Sequence, residues 1–331
     1  MKTHRLRATT IALTALVSAG SALLTAPPAQ AAPTTDIRPA ALDRGEPGQV
    51  AHVDGSDLVI GDRRYGFGDK QVQFLGYARA RQLTHYMVAV HGAGGEKRDK
   101  VVRVAPDGDR RVVLSGRSLH EPAISSDGVH LFDVDYRRGD RTVIHAWSSR
   151  DGSPVASKSL TGTASVLDAH EGKAVLGVSA PDRTISWDLS SGATKQVSGR
   201  TGYQASIEKD RLAVLTGDPY RGGCSVVSTL RRPDQQLWRS CEQGVATFSP
   251  TGDRILTTHL AADGLGPNEY QLREVTGDLV RSFTTYYFGA VAWEADEVLL
   301  LDAHGERKSA WVRCTDAGDC ERAGKLRATS N

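Results

Sequence analysis

Much of the chemistry that would announce an enzyme is missing from this sequence. The ten histidines include no H-E-x-x-H pair, so the helical zinc-protease pattern is excluded. His85, His91, His120, His130, His145, His170, His259 and His304 each stand alone in strand-like or turn-like surroundings. No G-x-S-x-G elbow occurs: Gly116-Arg117-Ser118-Leu119-His120 has the first glycine and the serine but lacks the second glycine, and a strained nucleophile turn needs both. The S-x-D-x-G-x-T-W box is absent too, and its nearest fragment, Ser149-Arg150-Asp151-Gly152, reads as a hairpin turn. Lysine and arginine form no long block, which removes the electrostatic footprint of a nucleic-acid or membrane-surface binder.

Long apolar runs are equally scarce. The one candidate, residues 11–26, is too short and too poor in bulky side chains to be a stable membrane span. It follows a basic start at Lys2, Arg5 and Arg7 and precedes Ala29-Gln30-Ala31, the order expected of a secretory signal peptide ending at residue 31. Those three cations belong to 41 basic residues in the whole chain, so the remainder carries 38 against 39 acidic ones, a formal charge of −1. The expected product is a secreted, monomeric protein without a transmembrane segment. Residues 32–48 read as a polar, proline-containing mobile leader, and residues 327–331 as a short tail.

Cysteine is limited to four residues. An even number in an exported chain suggests disulfides. Cys224 and Cys241 are centred on the turn Arg232-Pro233-Asp234, and Cys314 and Cys320 on Asp316-Ala317-Gly318-Asp319. If each turn joins antiparallel strands, each pair becomes a cross-strand neighbour within bridging distance. The expected bridges are therefore Cys224 to Cys241 and Cys314 to Cys320. The competing zinc reading lacks the usual paired short spacing.

A repeat is what the sequence does contain. Five times a short apolar run meets a tight polar turn and a second apolar run, in EPAISSDGVHLFDVD, SVLDAHEGKAVLGVS, YQASIEKDRLAVLTG, VATFSPTGDRILTTH and AVAWEADEVLLLDA. The turns at Gly128, Gly172, Asp210, Gly252 and Asp296 recur at 38 to 44 residues, within the range of one four-stranded propeller blade. Period-two alternation, abundant Val, Ile, Leu and Thr, and frequent Gly, Asp and Ser argue against helical repeats of similar length. Trp147 and Trp187 each precede a turn glycine by five residues, which marks both as packing between neighbouring blades.

These motifs resemble the WD40-like and TolB-like β-propellers of exported bacterial proteins. Ser249-Pro250-Thr251-Gly252 and Ser125-Ser126-Asp127-Gly128 match the S-P-D-G turn of TolB-type repeats, and Trp187-Asp188 with Ser191-Gly192 matches the W-D ending of WD repeats. Lys209-Asp210 and Ala295-Asp296 depart from the pattern by replacing the turn glycine. The resemblance covers about residues 73–325 and implies a circular scaffold commonly used for binding. The matched motifs carry no catalytic residues. The fold expected is all-β, a propeller over residues 49–326 with seven four-stranded blades, or six if residues 49–67 are only a closing segment.

Function then falls to surface loops. Connections between the second and third strands of a blade share one end of a propeller with the connections between blades, and here both sets are long. They would gather Tyr136, Arg137, Arg138, Tyr203, Tyr220, Arg221, Tyr286 and Tyr287 around one mouth of the channel. Tyrosine and arginine offer large planar contacts with a polar end. A binding or interaction module for a protein or a glycan of the cell envelope is the expected function, with no cofactor. The alternatives are a bound calcium at Asp133, Asp135 and Asp140 or at Asp263, Asn268 and Glu269, and a propeller-fold hydrolase or lyase with its active site at the channel mouth. For Tyr286-Tyr287-Phe288, filling of an inter-blade seam is the competing reading.

Overall fold

The computed structural model describes residues 33–80, 83–92, 99–116, 119–262 and 264–329. The expected signal peptide, most of the loop 91–100 and Asp263 lie outside the described residues. Seven antiparallel sheets follow one another along the chain and form a seven-bladed propeller, with blades at residues 52–66, 71–116, 123–161, 163–198, 202–240, 243–284 and 287–322. Helix among the described residues is confined to the single turns Pro39–Ala41 and Pro219–Arg221.

Blades 2 to 7 each carry four strands in sequential order. Second strands are buried on both faces, as in Lys173–Ser179, where residues 174–178 are all buried. Inner strands solve a packing problem. In blades 2, 4, 5 and 6 the register against the second strand shifts by one residue, leaving Leu75, Leu167, Tyr203 and Ala246 unpaired. A bulge turns its extra side chain out of the ladder, and each of these packs into the seam with the following blade. Trp187 is completely buried and Trp147 packs against the blade 2–3 cluster, as the spacing of the two tryptophans anticipates.

At one end of the ring, the turns between first and second strands lock blade to blade. Glu171 N–H donates to Asp127 Oδ2 at 2.7 Å, Ile207 N–H to Asp168 Oδ2 at 2.6 Å, Arg211 Nε to Gly252 O at 2.7 Å and Thr251 N–H to Asp296 Oδ1 at 3.0 Å. Asp210 takes φ +55° in place of the usual glycine, a conformation that aspartate tolerates better than most residues. Gly152 has no such substitute: at φ +74° its Cβ would lie 2.0 Å from Val113 O of blade 2.

Both disulfides form as expected. Cys314 and Cys320 are register partners, and Cys224 and Cys241 flank the pair Ser225 and Ser240.

The ends of the described chain depart from the sequence reading. Residues 33–48 are a strap, not a mobile leader. Thr34–Asp36 adds a parallel fifth strand to the outer edge of blade 6, Ile37 is buried at 2% exposure among Phe283, Phe288 and Leu301, and Arg44 bridges to Arg322 of blade 7. Composition hid this because a three-residue strand and one apolar anchor hold a segment that is otherwise polar. Arg327–Ala328 is likewise a strand, paired with Lys308 and Ser309, so the start of the expected tail is part of blade 7.

Blade 1 is the shortened one, with three strands, His52–Asp54, Asp57–Ile60 and Arg63–Gly66. Among the described residues its innermost strand is the missing one. The turn at Gly55-Ser56 follows Asp54, which meets Arg327 beside Ser309, close to the turn between the second and third strands of blade 7. Arg63, at the start of its last strand, donates to Pro106 O at 2.8 Å, in the turn between the third and outer strands of blade 2. Those neighbours fit second, third and outer positions.

Candidate functional site at the crossover end

The loops joining second to third strands and the crossovers between blades meet at one end of the ring. In blade 5 the loop 216–224 rises between two fixed points. Asp218 accepts from the Tyr220 amide at 3.0 Å and starts the turn Pro219–Arg221, while Cys224 is bridged to Cys241 at its foot. Tyr220 is left 70% exposed at the tip. Arg221 stands exposed beside it, 3.6 Å from Asp218.

In blade 6 the loop 260–268 lies over the crossover to blade 7. Phe288 N–H donates to Pro267 O at 2.7 Å and Thr285 N–H to Asn268 O at 3.1 Å. Gly266 passes so close that a Cβ would sit 2.3 Å from Phe288 O and 3.9 Å from the Tyr287 ring. Leu265 is thereby held 59% exposed beside the crossover, on which Tyr286 is 54% exposed and meets Tyr287 edge-on at 5.8 Å. Between this crossover, the strap 36–40 and the turn 305–308 lies a cavity of about 610 Å3, with Tyr286 and Arg38 on its wall.

The structure divides the predicted set. Tyr220, Arg221 and Tyr286 are on the surface. Tyr136, Arg137 and Arg138 are also exposed but belong to blade 3, across the channel from blade 6. Tyr136 donates to Glu121 Oε1 at 2.5 Å, and burial together with that carboxylate pushes its phenol above the usual range. Arg137 pairs with Asp135. Two expectations are corrected. Tyr203 is the bulge residue of blade 5, its hydroxyl 2.5 Å from Ser225 Oγ and accepting from the Val245 amide at 2.8 Å, so it ties blade 5 to blade 6. Tyr287 is 8% exposed and stacks on His304 at 4.2 Å, which makes it and Phe288 seam residues. Leu265 escaped the sequence reading, although an apolar residue between Gly264 and Gly266 in a polar loop is a signal that could have found it.

Three of the acidic groups weighed for calcium have other partners, Asp135 among them in its pair with Arg137. Asp133 accepts from the His120 amide at 3.2 Å, and burial raises its pKa. Glu269 accepts from Gln271 Nε2 at 3.0 Å. Among the described residues no three His, Cys, Asp or Glu side chains come together in a metal-binding group, and no helix is long and apolar enough to cross a membrane.

The sequence matches no protein-family model, and no curated protein is similar to it. Solved structures do resemble it. The β-propeller domain of the Trilobed protease from Pyrococcus furiosus superposes with a TM-score of 0.54 at 10% identity, over 83% of this chain and 94% of that one. A prolyl endopeptidase gives 0.51 at 11% identity, over 79% of this chain and 50% of its own length. TolB from Acinetobacter baumannii gives 0.46 at 12% identity, over 78% and 79%. At these identities the likeness is one of fold.

Proposed function

We propose that this chain is an exported, non-catalytic interaction module that engages a protein or glycan of the cell envelope through the crossover end of blades 5 to 7. The observation that carries the reading is the exposure of Tyr220, Leu265 and Tyr286 on successive elements of that end, each on a backbone held in place while more than half of the residue stays in solvent. Large apolar side chains fixed in the open are what recognition surfaces use as anchors. Export is supported by the basic, apolar and small-residue order of residues 1–31 and by two disulfides, which persist in oxidising compartments.

The test is capture from solubilised envelope with residues 32–331 as bait. A partner retained by the wild type and lost by the Tyr220→Ala/Leu265→Ser/Tyr286→Ala variant supports the assignment. Equal retention by the variant refutes this surface.

A further inference from the structure

The place of blade 1's missing strand is a cavity. About 420 Å3 lies between the inner strand of blade 7, at Ala290, Val291 and Ala292, and that of blade 2, at Val72, Gln73 and Phe74. Its back wall is formed by Ala51, His52 and Val53. In a strand, backbone groups two residues apart point the same way. Ala51 and Val53 therefore share the edge turned away from Asp57–Ile60, the edge an inner strand would pair with. Two side chains hold part of that edge: Ala51 N–H donates to Tyr77 Oη at 3.0 Å, and Trp311 Nε1 donates to Val53 O at 3.0 Å. Val53 lines the cavity, and its amide lies on this same edge.

We infer that this slot accepts a short extended segment of another polypeptide, which pairs with the edge at Val53 and completes blade 1. Three arguments favour a peptide strand. The position is one that an inner strand fills in each of the six other blades. The back wall spans three residues, roughly 10 Å of strand, and the lining combines Val53, Val72, Phe74, Val291 and Trp311 with the polar His52, Gln73, Asp302 and Arg327, as a strand edge at the rim of a sheet does. Strand addition to a blade edge is also a device this chain already uses, in Thr34–Asp36 on blade 6. The inference is independent of the crossover-end surface, because the slot opens between inner strands and shares no residue with Tyr220, Leu265 or Tyr286.

The probe is a blocked peptide with the sequence of residues 163–170, TASVLDAH, which is the inner strand of blade 4. It is titrated into the isotopically labelled chain 32–331 while the Val53 amide and the Trp311 indole N–H are followed by NMR. The expected result is a saturable shift of both signals with Kd below about 1 mM. Ala290→Phe, which fills the slot from an exposed position, should weaken binding at least about tenfold while leaving the rest of the spectrum in place. A peptide with proline at two pairing positions should not bind, since proline has no N–H to donate. No shift with the native sequence, an equal shift with the proline peptide, or unchanged binding by Ala290→Phe would each overturn the inference. So would the same shifts produced by tetra-N-acetylchitotetraose, which would assign the slot to a saccharide.

Discussion

Blade 4 and blade 1 occupy equivalent sectors of the ring and are stabilised by different physics. Blade 4 is a complete four-stranded sheet whose faces are apolar, with Trp187, Leu176, Val178 and Ala174 in one continuous cluster with blade 3. Blade 1 has strands of three or four residues, and its Leu58, Ile60, Tyr65 and Phe67 share a smaller apolar cluster with blade 2. Side chains also reach in from both neighbours: Tyr77 and Trp311 to its backbone, and Arg327 to Asp54 at 2.6 Å and to Asp302. Asp54 also holds Arg64 at 2.8 Å, while Asp302 lies 3.1 Å from His304. Burial raises the Asp302 carboxyl, but His304 and Arg327 more than offset it, so its pKa is lowered overall. Blade 4 is held by area on its faces, whereas blade 1 is held by area on the side of blade 2 and largely by directed polar bonds on the side of blade 7.

Breaking the area side should cost most. Trp187→Ala removes the largest fully buried side chain and should lower unfolding free energy by about 3–5 kcal/mol in urea titrations. A loss under about 1 kcal/mol would mean that the seam between blades 3 and 4 does not depend on it. On the polar side, Arg327→Ala removes the cation shared by two largely buried carboxylates, leaving Asp54 with Arg64 and Asp302 with His304. About 2–3 kcal/mol is expected, below the figure for a fully enclosed pair because the guanidinium is a quarter exposed. Asp54→Asn in the same background should recover part of that loss, and a strictly additive double variant would show that the two residues do not couple.

Trp311→Phe keeps most of the ring and removes one donor, so about 1–2 kcal/mol should follow, with faster hydrogen exchange confined to residues near Val53. The smallest effect is in pH. Burial lowers the pKa of His52 in blade 1 and of His130 in blade 3 below 6.5. The unfolded chain therefore takes up these protons at higher pH than the folded one, and stability should fall as pH drops below about 6.5. His52→Gln should remove the share of that slope due to blade 1, and His130→Gln that due to blade 3. The lowered carboxyl of Asp302 contributes in a separate window, losing its stabilising effect only below about pH 4. An unchanged slope in His52→Gln would show that its imidazole keeps an ordinary affinity for protons in the fold.

Much of the ring was legible because repetition is a property of sequence. The turns at Gly128, Gly172, Asp210, Gly252 and Asp296 set the blade spacing, and the cysteine pairs could be assigned because each brackets one hairpin turn. The surface was only partly legible. Tyr203 and Tyr220 are both tyrosines in short polar contexts, yet one is an extra residue turned into a seam by a bulge and the other tops a loop anchored at its foot by a disulfide. A one-residue register shift decides between these outcomes, and it depends on a partner strand that local sequence does not display. The strap was hidden for a related reason, since Thr34 and Ser282 are 248 residues apart and neither signals the other.

The sequence by itself determined the all-β class, the repeat length, the near-neutral charge and the two bridges, because alternation, turn chemistry and short-range pairing are local. Only the tertiary structure decided which strand blade 1 lacks, which tyrosines face solvent, and that Arg327 joins Asp54 to Asp302. Each of these depends on contacts between blades distant in sequence, and closing a ring fixes all of them together.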